Sequence, residues 1–182
     1  FLTKAYKGFT EKVRGTELEN TSDNYTGSSF ELNTKLRKNE PIGSSGQNGV
    51  KNLDKAFNIQ PLPENVVVYR GVTRSTKPEK FIESISQIGA IVVDDGYGSS
   101  SASYTTANNW AKSKGLVITF RLPKGTKGAY IRELSSFGIG ESEFVIGRGL
   151  RTRTIAVEKD AGKTYVTVEV LSQKRRSIKK AK

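Results

Sequence analysis

The chain contains no cysteine, no histidine and no methionine. Without cysteine there is no disulfide framework, no thiolate nucleophile and no cysteine-based zinc site. Without histidine, serine–histidine triads, imidazole general bases and histidine metal ligands all drop out. Acid–base chemistry therefore falls to Asp, Glu, Lys or Tyr, and no metal is expected. No apolar stretch reaches the roughly 20 residues that a membrane-spanning helix needs. Phosphate-cradling motifs are absent too: Gly138-Ile139-Gly140-Glu141-Ser142-Glu143 fails G-x-G-x-x-G at its third glycine, and no G-x-x-x-x-G-K-[ST] occurs. No signal peptide opens the sequence. With Phe1 at its start, it reads as a mature or excised domain of a longer chain.

What is present is positive charge. The formal net charge is +12, and six of the 30 basic residues fall in the last nine positions, 174–182. Such a surface attracts phosphates, nucleic acid or acidic proteins, although the tail reads first as a disordered, solvated end. Apolar residues are few, 35%, but clustered as in Val66-Val67-Val68-Tyr69, which points to a folded core.

The length of 182 residues suits one domain, expected over 1–172 with a basic tail at 173–182. Residues 1–60 read as mainly helical. Phe1, Leu2, Ala5, Phe9 and Val13 recur at helical spacing, a polar turn-rich stretch at 20–29 separates them from a second segment at 30–37, and 41–49 reads as a loop. A short helix is expected over 50–58, ended by Pro61-Leu62-Pro63. Residues 64–172 read as β-rich, with strands at 66–70, 90–93, 116–122, 129–131, 144–146, 152–159 and 164–171. A helix at 105–112 carries Trp110 on its expected buried face. Helices first and strands afterwards give an α+β class, because a doubly wound parallel sheet would alternate them.

Three short motifs carry chemistry. Arg70 ends an apolar strand and meets Gly71. A guanidinium so placed can grip a phosphate with paired hydrogen bonds, and the glycine lets a ligand approach the backbone. In isolation, a strand ending in a solvated arginine is the commoner meaning. Gly96-Tyr97-Gly98-Ser99-Ser100-Ser101 places small hydroxyls after an aromatic, which could form a tight strand edge with serine side chains facing a pocket; a flexible polar loop is the plain alternative. Glu141-Ser142-Glu143 puts two carboxylates on one side of a strand, about 6.5 to 7 Å apart, so that both address one reaction centre; alone, an acidic strand edge reads as well.

In this order, the three motifs resemble the arginine-serine-glutamate class of ADP-ribosyltransferases, which includes C3-like, iota-toxin-like and cholera-toxin-like bacterial toxins and phage enzymes. Tyr25 and the segment Phe30-Glu31-Leu32-Asn33-Thr34-Lys35-Leu36-Arg37 resemble that class's aromatic and the Ile-Asn-x-x-Leu-Arg helix that follows it. Residues 106–111, 120–125 and 135–146 resemble its later helix, strand-turn and loop with Glu-x-Glu. The resemblance implies N-terminal helices followed by a two-sheet, mainly antiparallel β core. It implies that NAD+ is cleaved and its ADP-ribose transferred. Arg70 and Gly71 would hold the dinucleotide, with Asn33 and Arg121 as further contacts. Glu143 would stabilise the oxocarbenium-like ribose, and Ser99 would orient Glu143. Glu141 would orient an acceptor arginine and take its proton, and Phe137 would dock that acceptor. The implied source is a toxin, effector or phage enzyme, secreted or delivered into a target cell and acting in its cytoplasm. NAD+ hydrolysis, modification of nucleic acid, or a catalytically dead nucleic-acid-binding module are the alternatives.

Overall fold

This computed structural model describes residues 1–73, 75, 79–131 and 142–181, with the side chains of 20 and 22–28 excepted. Helix α1 spans Leu2–Val13 and buries Leu2, Tyr6, Phe9 and Val13, a three-to-four-residue spacing that lays one stripe on the core. Gly15, at φ 73°, turns the chain out of it.

Helix α2 spans Glu17–Lys38 without a break, so the turn expected at 20–29 is not there. Ser, Thr, Asn and Asp disfavour helices because their side chains compete for backbone groups. Here Thr21 and Thr34 instead donate to the carbonyls four residues back, Glu17 O and Phe30 O, within the helical frame. Both ends are well capped: Thr16 Oγ1 accepts the Leu18 N–H, Glu17 and Glu19 sit in the first turn, and Asn39 closes the last in the left-handed conformation. Helix α3, Ser44–Ile59, starts within the expected loop. The Gln47 side chain, donating to Ile42 O at 2.7 Å, ties its first turn to the residue before the N-cap Gly43. Helix α4, Glu79–Ile85, has no counterpart in the sequence reading.

The strands are β1 Val66–Val72, β2 Ile91–Asp94, β3 Gly98–Ser101, β4 Leu116–Leu122, β5 Gly128–Tyr130, β6 Glu143–Ile146, β7 Leu150–Asp160 and β8 Lys163–Gln173. Helix α5, Tyr104–Ala111, lies between β3 and β4. The two-sheet expectation needs amending, because the strands pair as one eight-stranded sheet, ordered β2-β7-β8-β4-β1-β3-β6-β5. Among the described strands only β4 and β8 pair in parallel, so the mainly antiparallel character holds. The sheet is nevertheless pinched. β1 matches β4 from Val66↔Leu122 to Val72↔Leu116, but meets β3 only at Tyr69↔Ser101. The candidate site lies beside that point, where residues of β1, β3 and β6 line one cavity.

Two further expectations are corrected. Trp110 is 55% exposed, because Ala107 and Ala111 form the buried face of α5. The basic tail is docked on the body. Ile42 pairs with Lys180 in parallel, Ile42 N–H donates to Lys179 O at 2.9 Å, and Ala181 N–H donates to Ile42 O at 3.0 Å. Its cations find local anions, Arg175 at Asp54 and Arg176 at Asp95.

Candidate active site

The β1 register sets one wall. Gly71 and Tyr69 share a face with their β4 partners Val117 and Thr119, while Arg70 and Val72 project to the other with Ile118 and Leu116. Gly71 is required by packing: a Cβ there would collide with the Ala107 carbonyl oxygen and lie 2.7 Å from Ala111 N. The missing side chain thus makes room for the backbone of α5.

On the opposite face, Arg70 Nη1 lies 3.9 Å from Asp94 Oδ2. Asp94 is gripped more closely by Arg37, whose Nε and Nη2 donate at 2.8 and 3.0 Å. Arg37 Nη2 also donates to Tyr97 O, and Gly96 N–H donates to Asp94 Oδ1. Burial by itself would raise the Asp94 carboxyl, but the hydrogen bond and charge of Arg37, the charge of Arg70 and the Gly96 N–H outweigh it. The carboxyl is held below its ordinary value of 3.8.

β3 and β6 build the facing wall. Ser101 pairs with Glu143 and Ser99 with Val145, so Ser99, Ser101 and Glu143 share one face. Ser99 and Glu143 are diagonal neighbours, about 7–8 Å apart at the backbone and bridgeable by a glutamate side chain. Glu143 is buried, 8% exposed. Ser100 faces the other way, and its hydroxyl donates to Phe144 O at 2.6 Å. Ser101 Oγ accepts the Ser103 N–H and so fixes the turn into α5.

Arg70, Gly71, Ser99 and Glu143, drawn from three strands, line one cavity of about 260 Å³, with Trp110 of α5 at its rim. A second cavity of similar size, about 260 Å³, opens on the other side of Arg70. Arg37 and Asp94 stand beside an apolar wall that includes Phe81 and Phe120. Arg70 thus borders both.

Asn33 and Arg121 fall elsewhere. Asn33 is buried, and its Oδ1 accepts the Tyr97 N–H at 2.7 Å, bracing the entry to β3. Arg121 is exposed on β4, opposite Val67 and Glu169. Neither is among the described residues lining the two cavities. Glu141 and Phe137 lie outside the described residues, as does the side chain of Tyr25.

The sequence reading missed a buried network behind β3. Tyr97 donates its hydroxyl to Asp54 at 2.8 Å, and Arg148 donates to the same carboxylate at 2.7, 3.1 and 3.2 Å. Burial foremost, then the neighbouring Asp54 charge, pushes the Tyr97 phenol far above its usual range, so it stays protonated as a donor. Asp94 and Arg37 were also unassigned, although an acid closing the run Ile91-Val92-Val93 and an arginine four residues after Asn33 were visible signals.

The architecture is that of the ADP-ribosyltransferase toxins. Plx2a, an ADP-ribosyltransferase toxin from Paenibacillus larvae, matches with a TM-score of 0.78 at 21% identity, over 94% of this chain and 93% of that one. C3stau2 from S. aureus, solved with NAD, matches at 0.74 and 23% identity, over 93% of this chain and 94% of that one. The chain belongs to the ADP-ribosyltransferase exoenzyme family, whose model matches residues 1–175. Among curated relatives, the NAD(+)–arginine ADP-ribosyltransferase EFV of Enterococcus faecalis is 29% identical over 140 residues, 74% of this chain. Mono-ADP-ribosyltransferase C3 of a Clostridium botulinum D phage is 27% identical over 142 residues, 68% of this chain. The chain spans 28% and 56% of these two relatives' own lengths.

Proposed function

We propose that the protein is a mono-ADP-ribosyltransferase of toxin type that cleaves NAD+ and transfers ADP-ribose to a protein arginine. The observation that carries this is the register at the pinch, which brings Ser99 and Glu143 onto one face of a cavity also bordered by Arg70. Arg70 pairs with a phosphate of NAD+. The bond between ribose C1′ and the pyridinium nitrogen breaks, and its electron pair leaves with neutral nicotinamide. Positive charge passes to the ribose, as in glycoside cleavage. Glu143, in its buried position, stabilises that charge and hydrogen-bonds the ribose hydroxyl, while Ser99 orients the carboxylate. A guanidino nitrogen of the acceptor then bonds to C1′ and its proton passes to Glu141. An acceptor guanidinium is protonated at neutral pH, with a pKa above about 12, so a carboxylate there both attracts it and activates it.

The name of the Enterococcus relative, an NAD+–arginine transferase, supports arginine as the acceptor. The relatives named above are transferases and toxins, which gives the nucleic-acid reading no support. In keeping with toxin relatives, we place its action inside a target cell after secretion or delivery. The test is Glu141→Gln, assayed for nicotinamide release and for transfer to agmatine, a small guanidino acceptor. Transfer falls steeply while hydrolysis persists. Equal loss of both would remove Glu141 from the acceptor role, and hydrolysis without transfer in the unmodified protein would make it an NAD+ glycohydrolase.

A further inference from the structure

Helix α5 buries its two alanines against Gly71 and turns its largest side chain outward. Trp110 Cβ lies only 2.8 Å from where a Cβ on Gly71 would sit, so the indole starts at the β1 backbone. It borders the cavity that holds Arg70, Ser99 and Glu143, yet remains 55% exposed. Burying such a ring would stabilise the fold, so packing does not account for its position. Tyr69 borders the same cavity and meets Tyr104 edge to face, with centroids 5.5 Å apart and planes at 84°, and Tyr104 is itself 45% exposed. The cavity that holds the buried Glu143 is thus lined by two aromatic side chains, Trp110 and Tyr69, and aromatic faces attract planar cations.

Two planar cations take part in the proposed reaction, the pyridinium of NAD+ and the guanidinium of the acceptor. The pyridinium loses its charge as its bond to ribose breaks. A π face stacked on it would stabilise the ground state more than the departing neutral ring, which opposes cleavage. The guanidinium arrives charged, from solvent, on another molecule. A half-exposed indole at the mouth suits that arrival.

We propose that Trp110 is a specificity-determining residue whose indole face receives the acceptor's guanidinium at the mouth of the Glu143 cavity. This rests on the transferase reading above. It assigns acceptor recognition to α5, an element independent of the segment that carries Phe137 and Glu141.

The test compares Trp110→Ala and Trp110→Phe in two assays. At saturating NAD+, Trp110→Ala raises KM for agmatine roughly three- to tenfold, and Trp110→Phe less. With no acceptor present, KM for NAD+ in hydrolysis shifts by less than twofold in either variant. A parallel rise in both KM values would assign the ring to NAD+ or to the fold, and an unchanged agmatine KM would remove it from recognition; either overturns the proposal. Trp110 is the chain's one tryptophan, so its fluorescence reports binding without turnover. Emission responds saturably to agmatine and not to a neutral urea-terminated analogue of equal length. A protein that cleaved no NAD+ but showed this response would refute the transferase reading and keep the guanidinium site; no saturable response would refute the site.

Discussion

Asp54 holds together the elements behind the candidate site, and its removal is costly. Its carboxylate takes three hydrogen bonds from Arg148, at 2.7, 3.1 and 3.2 Å, and one from the Tyr97 hydroxyl at 2.8 Å. Arg175 approaches it at 3.3 Å. The Arg148 side chain is only 8% exposed, so Asp54→Ala leaves a buried guanidinium without its anion. Breaking a buried pair from one side costs about 3–5 kcal/mol. In a domain of this size, that lowers Tm by roughly 6–20 °C. The double variant Asp54→Leu with Arg148→Met removes both charges and loses less than Asp54→Ala alone. Urea and thermal unfolding followed by circular dichroism measure both. A loss under about 1 kcal/mol for Asp54→Ala, or a double variant as damaged as the sum of its singles, would refute the reasoning. Tyr97 directly precedes Gly98 and Ser99, so surviving folded Asp54→Ala also shows a reduced kcat for NAD+ cleavage.

Asp94 gives a pH-dependent prediction. Its folded carboxyl titrates below its unfolded value, so its stabilising contribution is present at neutral pH and lost as pH falls through the carboxylate range. Asp94→Asn is therefore less stable than the parent at pH 7, and the gap narrows as the carboxyl of the parent protonates below its ordinary 3.8; a gap that widened on acidification would contradict the assigned pairing. Gly71→Ala forces β1 against the backbone of α5 and costs roughly 1–3 kcal/mol, with Trp110 displaced. Unchanged Tm and Trp110 emission would show that α5 yields freely. Glu143→Gln retains the parent Tm within a few degrees and loses nicotinamide release; retained release would mean that another carboxylate carries the charge.

Legibility followed the kind of signal. Seven of the described strands from 66 onward were readable because β-branched and aromatic runs end at Gly, Pro and Asp, and their observed bounds lie within a few residues of the expected ones, whereas β3, built of glycine and serines, carries no such run. Helix α2 was misread at 20–29 because local composition favours turns, whereas its caps at Thr16 and Asn39 act over the whole segment. Trp110 was misplaced because hydrophobicity alone put it inside; the contact between Gly71 and Ala107 decided which face of α5 is buried. The tail looked solvated because its anions, Asp54 and Asp95, are distant in sequence. Arg70, Ser99 and Glu143 were legible as a motif, yet only the pairing of β3 with β6 and the pinch beside β1 show how they meet. Asn33 carried a polar signal whose structural use is to hold Tyr97.

The most direct measurement of the central claim is NAD+ turnover by the purified protein with agmatine present, reading released nicotinamide and the mass of agmatine together. Nicotinamide release matched by ADP-ribosyl-agmatine, both lost in Glu143→Gln, is the expected result. No NAD+ consumption, or consumption unaffected by Glu143→Gln, would contradict it.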